Sequence, residues 1–208
     1  MRQGMLTSVA ALALAGCSTA SRIDYTHLFT RAGWQRPDRV IEALALEPGA
    51  RVADIGAGEG WFSFYLADAV GPDGRVYAVD VDPTAVKAVE DEAKRRGYAN
   101  VVAVLAKPED PLLPDGAIDL AFFCNSYHHV ENRVPYLERL RADLAPGARI
   151  AVIDVKDEYP AKLFVPAGHG TPIPQMREEL AAARYPHAES HDFLPVQSFE
   201  IFALGPKP

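Results

Sequence analysis

The segment with the clearest capacity for chemistry is a glycine-rich turn, where an apolar run leads into three glycines at alternating positions. The run is Arg51-Val-Ala-Asp-Ile, and the glycines are Gly56, Gly58 and Gly60. Residues 61–70 then place apolar side chains at helical spacing. Glycines between a strand and a helix permit positive φ and close approach of a ligand, toward which the first helical amides point. The segment therefore predicts a cofactor-binding turn.

The spacing of the glycines argues against two common phosphate sites. A dinucleotide turn, G-x-G-x-x-G, needs glycine where Trp61 stands, which disfavours an NAD-dependent oxidoreductase. A P-loop needs a Gly-Lys-Ser/Thr ending, which does not follow this turn. Twenty residues later a second apolar run ends in Asp80, whose carboxylate could accept hydrogen bonds from ribose hydroxyls. Asp82 is the alternative, although Asp-Pro is also typical of a helix start.

Polar residues that follow the later strands form a second candidate group. Asn125, Tyr127, His128 and His129 come directly after a predicted strand, where ligands bind in open α/β sheets. Tyr127 and His128 could orient a substrate or act as general bases, and the alternative is packing at a helix start. His169, on a long loop after the fifth strand, is a secondary catalytic candidate. Adjacent histidines rarely face one site, so no metal site is predicted.

An alternating α/β framework is needed to position these residues. Near-continuous apolar runs predict strands over 51–55, 75–80, 101–105, 118–124 and 149–155, with helices over 38–46, 59–70, 83–97 and 132–145. This alternation predicts a parallel sheet. A helix over 174–185 and two short strands, 187–193 and 197–203, complete the chain.

Four segments in register resemble the class I S-adenosylmethionine-dependent methyltransferases. They are VADIGAGEG at 52–60, VYAVD at 76–80, LPDGAIDLAF at 113–122 (similar to LPxxxxDLVF), and LAPGARIAVID at 144–154 (similar to LxPGGxxxxxD). Together they cover roughly residues 38–156. The resemblance implies a Rossmann-like, doubly wound, mostly parallel seven-stranded sheet with helices on both faces. It also implies a C-terminal β-hairpin with an antiparallel last strand.

The resemblance also implies roles for particular positions. The glycine turn would hold the methionine part of S-adenosylmethionine, the co-substrate, with Asp54 oriented toward its amino group through water or backbone. Asp80 would hold the ribose. The adenine amino group would meet an acidic residue after the third strand, for which Asp110 is favoured over Glu109. Asn125 would approach the methionine end and the transferred methyl group.

Length and charge restrict the acceptor. The chain has 208 residues, enough for one domain, and a formal net charge of −7. This charge provides no basic surface for nucleic acid, so a small-molecule acceptor is expected. Some members of the fold methylate nucleobase amines through Asn-Pro-Pro-Tyr, whereas this chain has Asn125-Ser-Tyr-His without either proline. The oligomeric state is not predicted.

The first seventeen residues predict an export signal. A short basic start precedes an apolar run over 5–15 that is too short to span a bilayer, followed by Leu14-Ala-Gly-Cys. This resembles the bacterial lipobox, which implies lipidation of Cys17 and a membrane anchor facing the periplasm. Ser18 in place of aspartate favours the outer membrane. The alternative is a wrong start codon and a cytoplasmic protein.

These segments divide the chain into a signal peptide (1–17), an N-terminal extension (18–37) and a methyltransferase domain (38–208). Cys124 lies in a predicted buried strand, where packing is favoured over a nucleophilic role. The leading hypothesis is methyl transfer to a small molecule. The alternative is a membrane-anchored binding protein that kept the fold and lost turnover, because exported compartments are not expected to hold S-adenosylmethionine. The intact glycines and Asp80 favour the enzyme.

Overall fold

The protein is described from a computed structural model, which covers residues 30–156 and 169–206. Its helices are α1 (Arg31–Gln35), α2 (Pro37–Leu44), α3 (Trp61–Val70), α4 (Pro83–Arg96), α5 (Arg133–Leu140) and α6 (Ile173–Ala182). Its strands are β1 (Arg51–Ile55), β2 (Arg75–Asp80), β3 (Val101–Leu105), β4 (Ile118–Cys124), β5 (Leu144–Val155), β6 (His187–His191) and β7 (Gln197–Ala203).

The seven strands form one sheet in the order β3-β2-β1-β4-β5-β7-β6. The first five strands are parallel, and β7 runs antiparallel to both β5 and β6. This confirms the predicted Rossmann-like sheet and its C-terminal hairpin. The strand order reverses between β1 and β4, where open α/β sheets leave a crevice at their carboxyl ends.

Helices cover both faces of the sheet, because successive side chains of a buried parallel strand point to opposite sides. On β1, Val52 packs with Leu44 of α2 and Leu66 of α3 in one apolar cluster. Ala53 belongs to the opposite cluster, which contains Leu137 of α5 and other residues of α5 and α6. The predicted two-faced architecture is confirmed.

The two largest errors in the predicted element boundaries lie on either side of residue 142. The helix predicted over 132–145 ends at Leu140, and β5 begins at Leu144 rather than 149. The pairing of β4 with β5 shifts register between Ile118 and Leu120, which accommodates the turn-like Pro-Gly pair within β5 as a β-bulge. Gly147 takes a φ of 82° there, a conformation that glycine allows without strain.

Several sequence predictions lie outside the described residues. The signal peptide, Cys17 and most of the N-terminal extension belong to this group, because the description begins at residue 30. Among the described helices, none combines the length and apolar character needed to cross a membrane.

Candidate active site

The glycine turn closes against the loop that follows β4. Gly56 has a φ of 72°, and its N–H donates a hydrogen bond to the carbonyl of Val79 (2.8 Å). A Cβ at Gly56 would lie 2.4 Å from the Cβ of Ser126, so no other residue fits without displacement. The Ser126 hydroxyl donates to the carbonyl of Ile55 (2.5 Å), which holds the two segments together. Ser126 was not among the predicted site residues.

The other two glycines have different surroundings. Gly58 has no atom within 4 Å of a hypothetical Cβ, so the turn is open to a ligand at this point. A Cβ at Gly60 would lie 3.1 Å from Val89 and 3.2 Å from Phe64. Gly60 is buried and therefore serves the packing of α3 against α4. Of the three glycines, only Gly56 lines the cavity at the ends of β1 and β4.

Asp80 lies at the carboxyl end of β2 with its carboxylate fixed by backbone amides. One oxygen accepts a hydrogen bond from the N–H of Gly58 (2.8 Å), and the other accepts from the N–H of Asp82 (3.0 Å). Asp82 instead caps α4, since its side chain accepts from the N–H of Thr84 (2.8 Å). The side chain of Asp82, the alternative to Asp80 for binding ribose, is therefore used to cap the helix, whereas Asp80 stays at the end of β2.

A cavity of about 440 Å³ opens between these segments, within the range of small-molecule sites. Its polar walls include Asp80, Asn125 and His129, and its apolar walls include Ile55 and Val81. Val81 is 55% exposed, so its side chain is accessible to a ligand in the cavity. The cavity lies at the reversal of strand order between β1 and β4.

Asp54 lies beneath the glycine turn, not in the cavity. Its side chain is buried and accepts a hydrogen bond from the hydroxyl of Ser63 in α3 (2.6 Å). Burial raises the pKa of this carboxyl to about 6, although the Ser63 hydrogen bond opposes the shift. The arrangement joins β1 to α3 and holds the turn from below.

The helix α1 packs over the same end of β1 and β4. Gln35, which is buried, donates a hydrogen bond to the Sγ of Cys124 (3.3 Å). Burial raises the pKa of the Cys124 thiol, so the thiolate needed for nucleophilic attack is disfavoured. The Arg31 guanidinium lies 4.9 Å from the ring centre of Trp61, the first residue of α3. Cys124 is therefore a packing residue, as expected.

The acidic pair after β3 faces a neighbouring hollow. Asp110 accepts hydrogen bonds from the N–H of Leu112 (3.0 Å) and from Arg139 (3.1 Å). Asp110 and Glu109 both line an adjacent depression of about 850 Å³. Among the described residues, Lys107 borders the 440 Å³ cavity and these two acids do not. Their predicted contact with an adenine amino group stays a prediction.

Asn125 ends β4 in a left-handed conformation with a φ of 56°. Its backbone N–H donates to the carbonyl of Ile153 (2.8 Å), and its side-chain oxygen accepts from Gln197 (2.7 Å). These contacts turn the chain toward the cavity, which Asn125 lines. Its approach to the methionine end of the cofactor stays a prediction. Asparagine adopts positive φ more readily than most other residue types, so the residue suits this bend.

Tyr127 lies in the core. It is 1% exposed, its hydroxyl donates to Glu179 of α6 (2.9 Å), and its ring contacts Phe123 edge-on. Burial raises the pKa of the hydroxyl, and the Glu179 carboxylate raises it further. These contacts correct the expectation of a catalytic Tyr127 in favour of the packing alternative, because the hydroxyl is committed to α6.

The three histidines form a group at the carboxyl ends of β4 and β5. His128 lies between His129 and His169, with ring centres 4.0 Å and 6.0 Å away. Its Nδ1 lies 2.7 Å from the buried carboxylate of Asp154. His129 is exposed and lines the cavity; burial lowers its pKa, as do the other two histidines. Asp154 was not predicted as a site residue.

A protein-family model described as a methyltransferase domain matches residues 46–191. The chain belongs to this methyltransferase family. The match spans β1 to β6 and so includes the glycine turn, Asp80 and the histidine group.

Named proteins and a solved structure that resemble this chain are also methyltransferases. The protein-L-isoaspartate O-methyltransferase of Aeropyrum pernix is 32% identical over 121 residues, which cover 55% of this chain and 42% of that protein. The ubiquinone/menaquinone biosynthesis C-methyltransferase UbiE of Ectopseudomonas mendocina is 31% identical over 122 residues, covering 58% and 47%. The chain spans about half the length of these relatives. A solved methyltransferase from Aquifex aeolicus shares the fold, with a TM-score of 0.76 at 24% identity, covering 86% and 96%.

The described part of the chain does not bring three metal ligands together at this site. Among residues 30–156 and 169–206, no three His, Cys, Asp or Glu side chains are grouped as a metal ion requires. The histidine group is therefore better described by its hydrogen bond to Asp154 than by metal coordination.

Proposed function

We propose that this chain is an S-adenosylmethionine-dependent methyltransferase that acts on a small-molecule acceptor. The observation that carries the proposal is the Asp80 carboxylate, held by the N–H of Gly58 at the mouth of a 440 Å³ cavity. A fixed carboxylate beside an open glycine turn fits a ribose and the chain attached to it. The family match supports the same conclusion.

The residues present fit this cofactor in chemistry and shape. Asp80 would accept hydrogen bonds from the ribose hydroxyls, while the open space at Gly58 would admit the methionine part. Val81 provides an apolar wall suited to a purine ring. When bound, S-adenosylmethionine supplies a methyl group on a sulfonium, which is already strongly electrophilic. The protein then has to orient the acceptor and exclude water.

The proposed acceptor class rests on charge and cavity size. The net charge of −7 opposes binding to a nucleic acid backbone. The hollows beside the cofactor cavity have volumes that suit small molecules. The names of the curated relatives describe several different acceptors, so they support methyl transfer in common and no single substrate.

Calorimetric titration of the full chain with S-adenosylmethionine and S-adenosylhomocysteine tests the proposal. We expect both to bind, and Asp80→Asn to weaken binding about tenfold or more, since a hydrogen bond to a charged group contributes about 1.5–3 kcal/mol. Asp82→Asn is the matched control, because asparagine caps a helix as well as aspartate does. Absence of heat up to millimolar ligand contradicts the proposal, as does equal loss in both variants.

We also propose that the protein is exported and anchored to the outer membrane, facing the periplasm, through lipidated Cys17. The support is the Leu14-Ala-Gly-Cys sequence alone. Labelled palmitate should enter the wild-type protein, and Cys17→Ser should lose both the label and the membrane fraction. A Cys17→Ser protein that stays in the membrane fraction contradicts the anchor. A cytoplasmic protein without label corresponds to the wrong-start alternative.

A further inference from the structure

The Asp154 carboxylate is fully buried, and both of its oxygens accept hydrogen bonds from backbone N–H groups. Its Oδ1 accepts from the N–H of Val155 (3.0 Å) and lies 2.7 Å from the Nδ1 of His128. Its Oδ2 accepts from the N–H of Thr171 (3.2 Å). Because these oxygens act as acceptors, the carboxylate selects the His128 tautomer that carries its proton on Nδ1. The Nε2 atom is then left with a free lone pair.

That Nε2 atom is buried and has no hydrogen-bond partner among the described residues. The His128 side chain is 8% exposed, so little of the imidazole is open to water. Leaving a buried polar atom unpaired is costly, so such an atom calls for a partner, which can be a bound ligand. The hydroxyl oxygen of Thr171 and the amide oxygen of Gln197 are also unpaired and buried within the described ranges.

These unpaired atoms lie at one end of the sheet, beside the cofactor cavity. Thr171 is joined to Asp154, and Gln197 is joined to Asn125, which lines that cavity. His128 borders a hollow of about 580 Å³ that shares His129 with the cofactor cavity. The two hollows also share Val130 and Glu131, so an acceptor bound beside His128 would be next to the cofactor cavity.

We propose that His128 is the general base of methyl transfer, that Asp154 positions it, and that the acceptor is a hydroxyl or thiol compound. This inference rests on the proposed function. His128 Nε2 takes the acceptor's O–H or S–H proton while the oxygen or sulfur forms its bond to the methyl carbon. The electron pair of the broken carbon–sulfur bond stays on the cofactor sulfur as a neutral thioether. The imidazolium then releases its proton to solvent.

The acceptor class follows from how much a neutral imidazole, acting as a base, can accelerate the methylation of each kind of acceptor. A hydroxyl or thiol becomes much more nucleophilic when it loses its proton, so a nearby base accelerates its methylation. A neutral amine already has a free lone pair and gains little from a base. A positioned base therefore favours oxygen or sulfur acceptors over amines.

The charged and titratable groups around His128 come from five segments of the chain. Asp154 belongs to β5, His129 to the same turn, and His169 to the segment before α6. The Arg133–Glu179 pair, from α5 and α6, borders the same hollow.

Nuclear magnetic resonance of the histidine nitrogens tests the dyad without a substrate. In protein labelled with ¹⁵N-histidine, the Nε2 signal that disappears in His128→Gln should be that of an unprotonated nitrogen at pH 8. Asp154→Asn should move the proton to Nε2, because an asparagine amide can donate to Nδ1. A wild-type Nε2 that is protonated at pH 8, or unaffected by Asp154→Asn, overturns the inference.

Methyl transfer to three probes tests the role of the base. Catechol, thiophenol and 4-nitrophenol are offered with labelled S-adenosylmethionine to the wild type and to His128→Gln. We expect the variant to lose about 100-fold or more on catechol, the size of general-base effects, with cofactor affinity within twofold. It should lose much less on 4-nitrophenol, which ionises near neutral pH without a base. His187→Gln, in the hairpin distant from the cavity, is the control and should match the wild type.

The outcomes separate the two proposals. Failure of the wild type to bind S-adenosylmethionine overturns the proposed function itself. Normal cofactor binding with no product from any probe overturns the acceptor class alone. Equal losses on catechol and 4-nitrophenol overturn the general-base role, because a purely structural defect would affect both probes alike.

Discussion

Two aspartates near the glycine turn show how the surroundings determine the role of one side chain. Asp80 is half-buried, and its carboxylate accepts two backbone hydrogen bonds at the edge of the cavity. Asp54 is buried, and its side chain accepts a single hydrogen bond, from Ser63. Asp80 can therefore accept hydrogen bonds from a ligand, whereas burial favours the protonated form of Asp54.

Asp54→Asn should make folding stability less dependent on pH. In the wild type the pKa of Asp54 is about 6 when folded and near its ordinary value of 3.8 when unfolded. Between these values only the folded state holds the proton, so stability falls as pH rises from 4 to 6 and stays low above 6. Asparagine avoids this cost and can still accept from Ser63. The variant should gain up to about 3 kcal/mol at pH 7.5, since one pKa unit corresponds to about 1.4 kcal/mol.

Urea unfolding at pH 4.5 and pH 7.5 measures this effect. The advantage of Asp54→Asn should be large at the higher pH and should shrink at the lower one. Asp73→Asn, in an exposed turn, is the control and should change stability little at either pH. An advantage of the same size at both values would show that the cause is not the Asp54 proton.

At the level of elements, the glycine turn and the β4 loop act as one unit. Gly56→Ala and Gly58→Ala both place a side chain at positive φ, which costs roughly 1 kcal/mol in each case. Only alanine at position 56 would also collide with Ser126. We expect Gly56→Ala to destabilise the fold by at least about 1 kcal/mol more than Gly58→Ala.

The same pair should separate stability from ligand binding. Gly58→Ala should fold nearly normally but bind S-adenosylmethionine weakly, because its methyl group enters the open space at the turn. Chemical denaturation and calorimetry on both variants measure the two effects. Identical stabilities would refute the steric role of Gly56, and unchanged affinity of Gly58→Ala would place the ligand elsewhere.

The sequence predicted the elements well where the apolar runs were continuous. Strands β1 to β4 and β7 begin and end where predicted, since Gly, Pro or Asp residues bound most of these runs. The start of β5 was missed because Pro-Gly at positions 146 and 147 resembles a turn. In the structure the pair lies within β5, at the point where its pairing with β4 shifts register. Local residue types cannot show which neighbouring strand will pair across such a sequence.

The sequence could indicate only those parts of the candidate site that come from elements adjacent to one another in the chain. The glycine turn and Asp80 belong to adjacent elements, and the position of Asn125 follows from the end of one strand. The contact between His128 and Asp154 joins residues 26 positions apart and requires that β4 lie beside β5. Tyr127 was misjudged for the same reason, because its partner Glu179 lies on α6, 52 positions away.

At the scale of the whole molecule, the cavity takes its walls from distant parts of the chain, namely the ends of β1, β2, β3 and β4. A ligand there should stabilise the complete fold rather than one element. Ligand at 100 times its dissociation constant adds about 2.7 kcal/mol. For a protein of this size that corresponds to a rise of about 5–10 °C in melting temperature.

Thermal unfolding with saturating S-adenosylmethionine, S-adenosylhomocysteine or NAD⁺ should therefore distinguish the cofactors. The two sulfur nucleosides should raise the melting temperature, and NAD⁺ should leave it unchanged. Trp61 begins α3 where a dinucleotide turn needs its third glycine, and the Arg31 guanidinium covers its ring. The bulk of Trp61 prevents the close helix–strand approach on which a pyrophosphate site depends. A larger rise with NAD⁺ than with S-adenosylmethionine would contradict the assignment of this cavity.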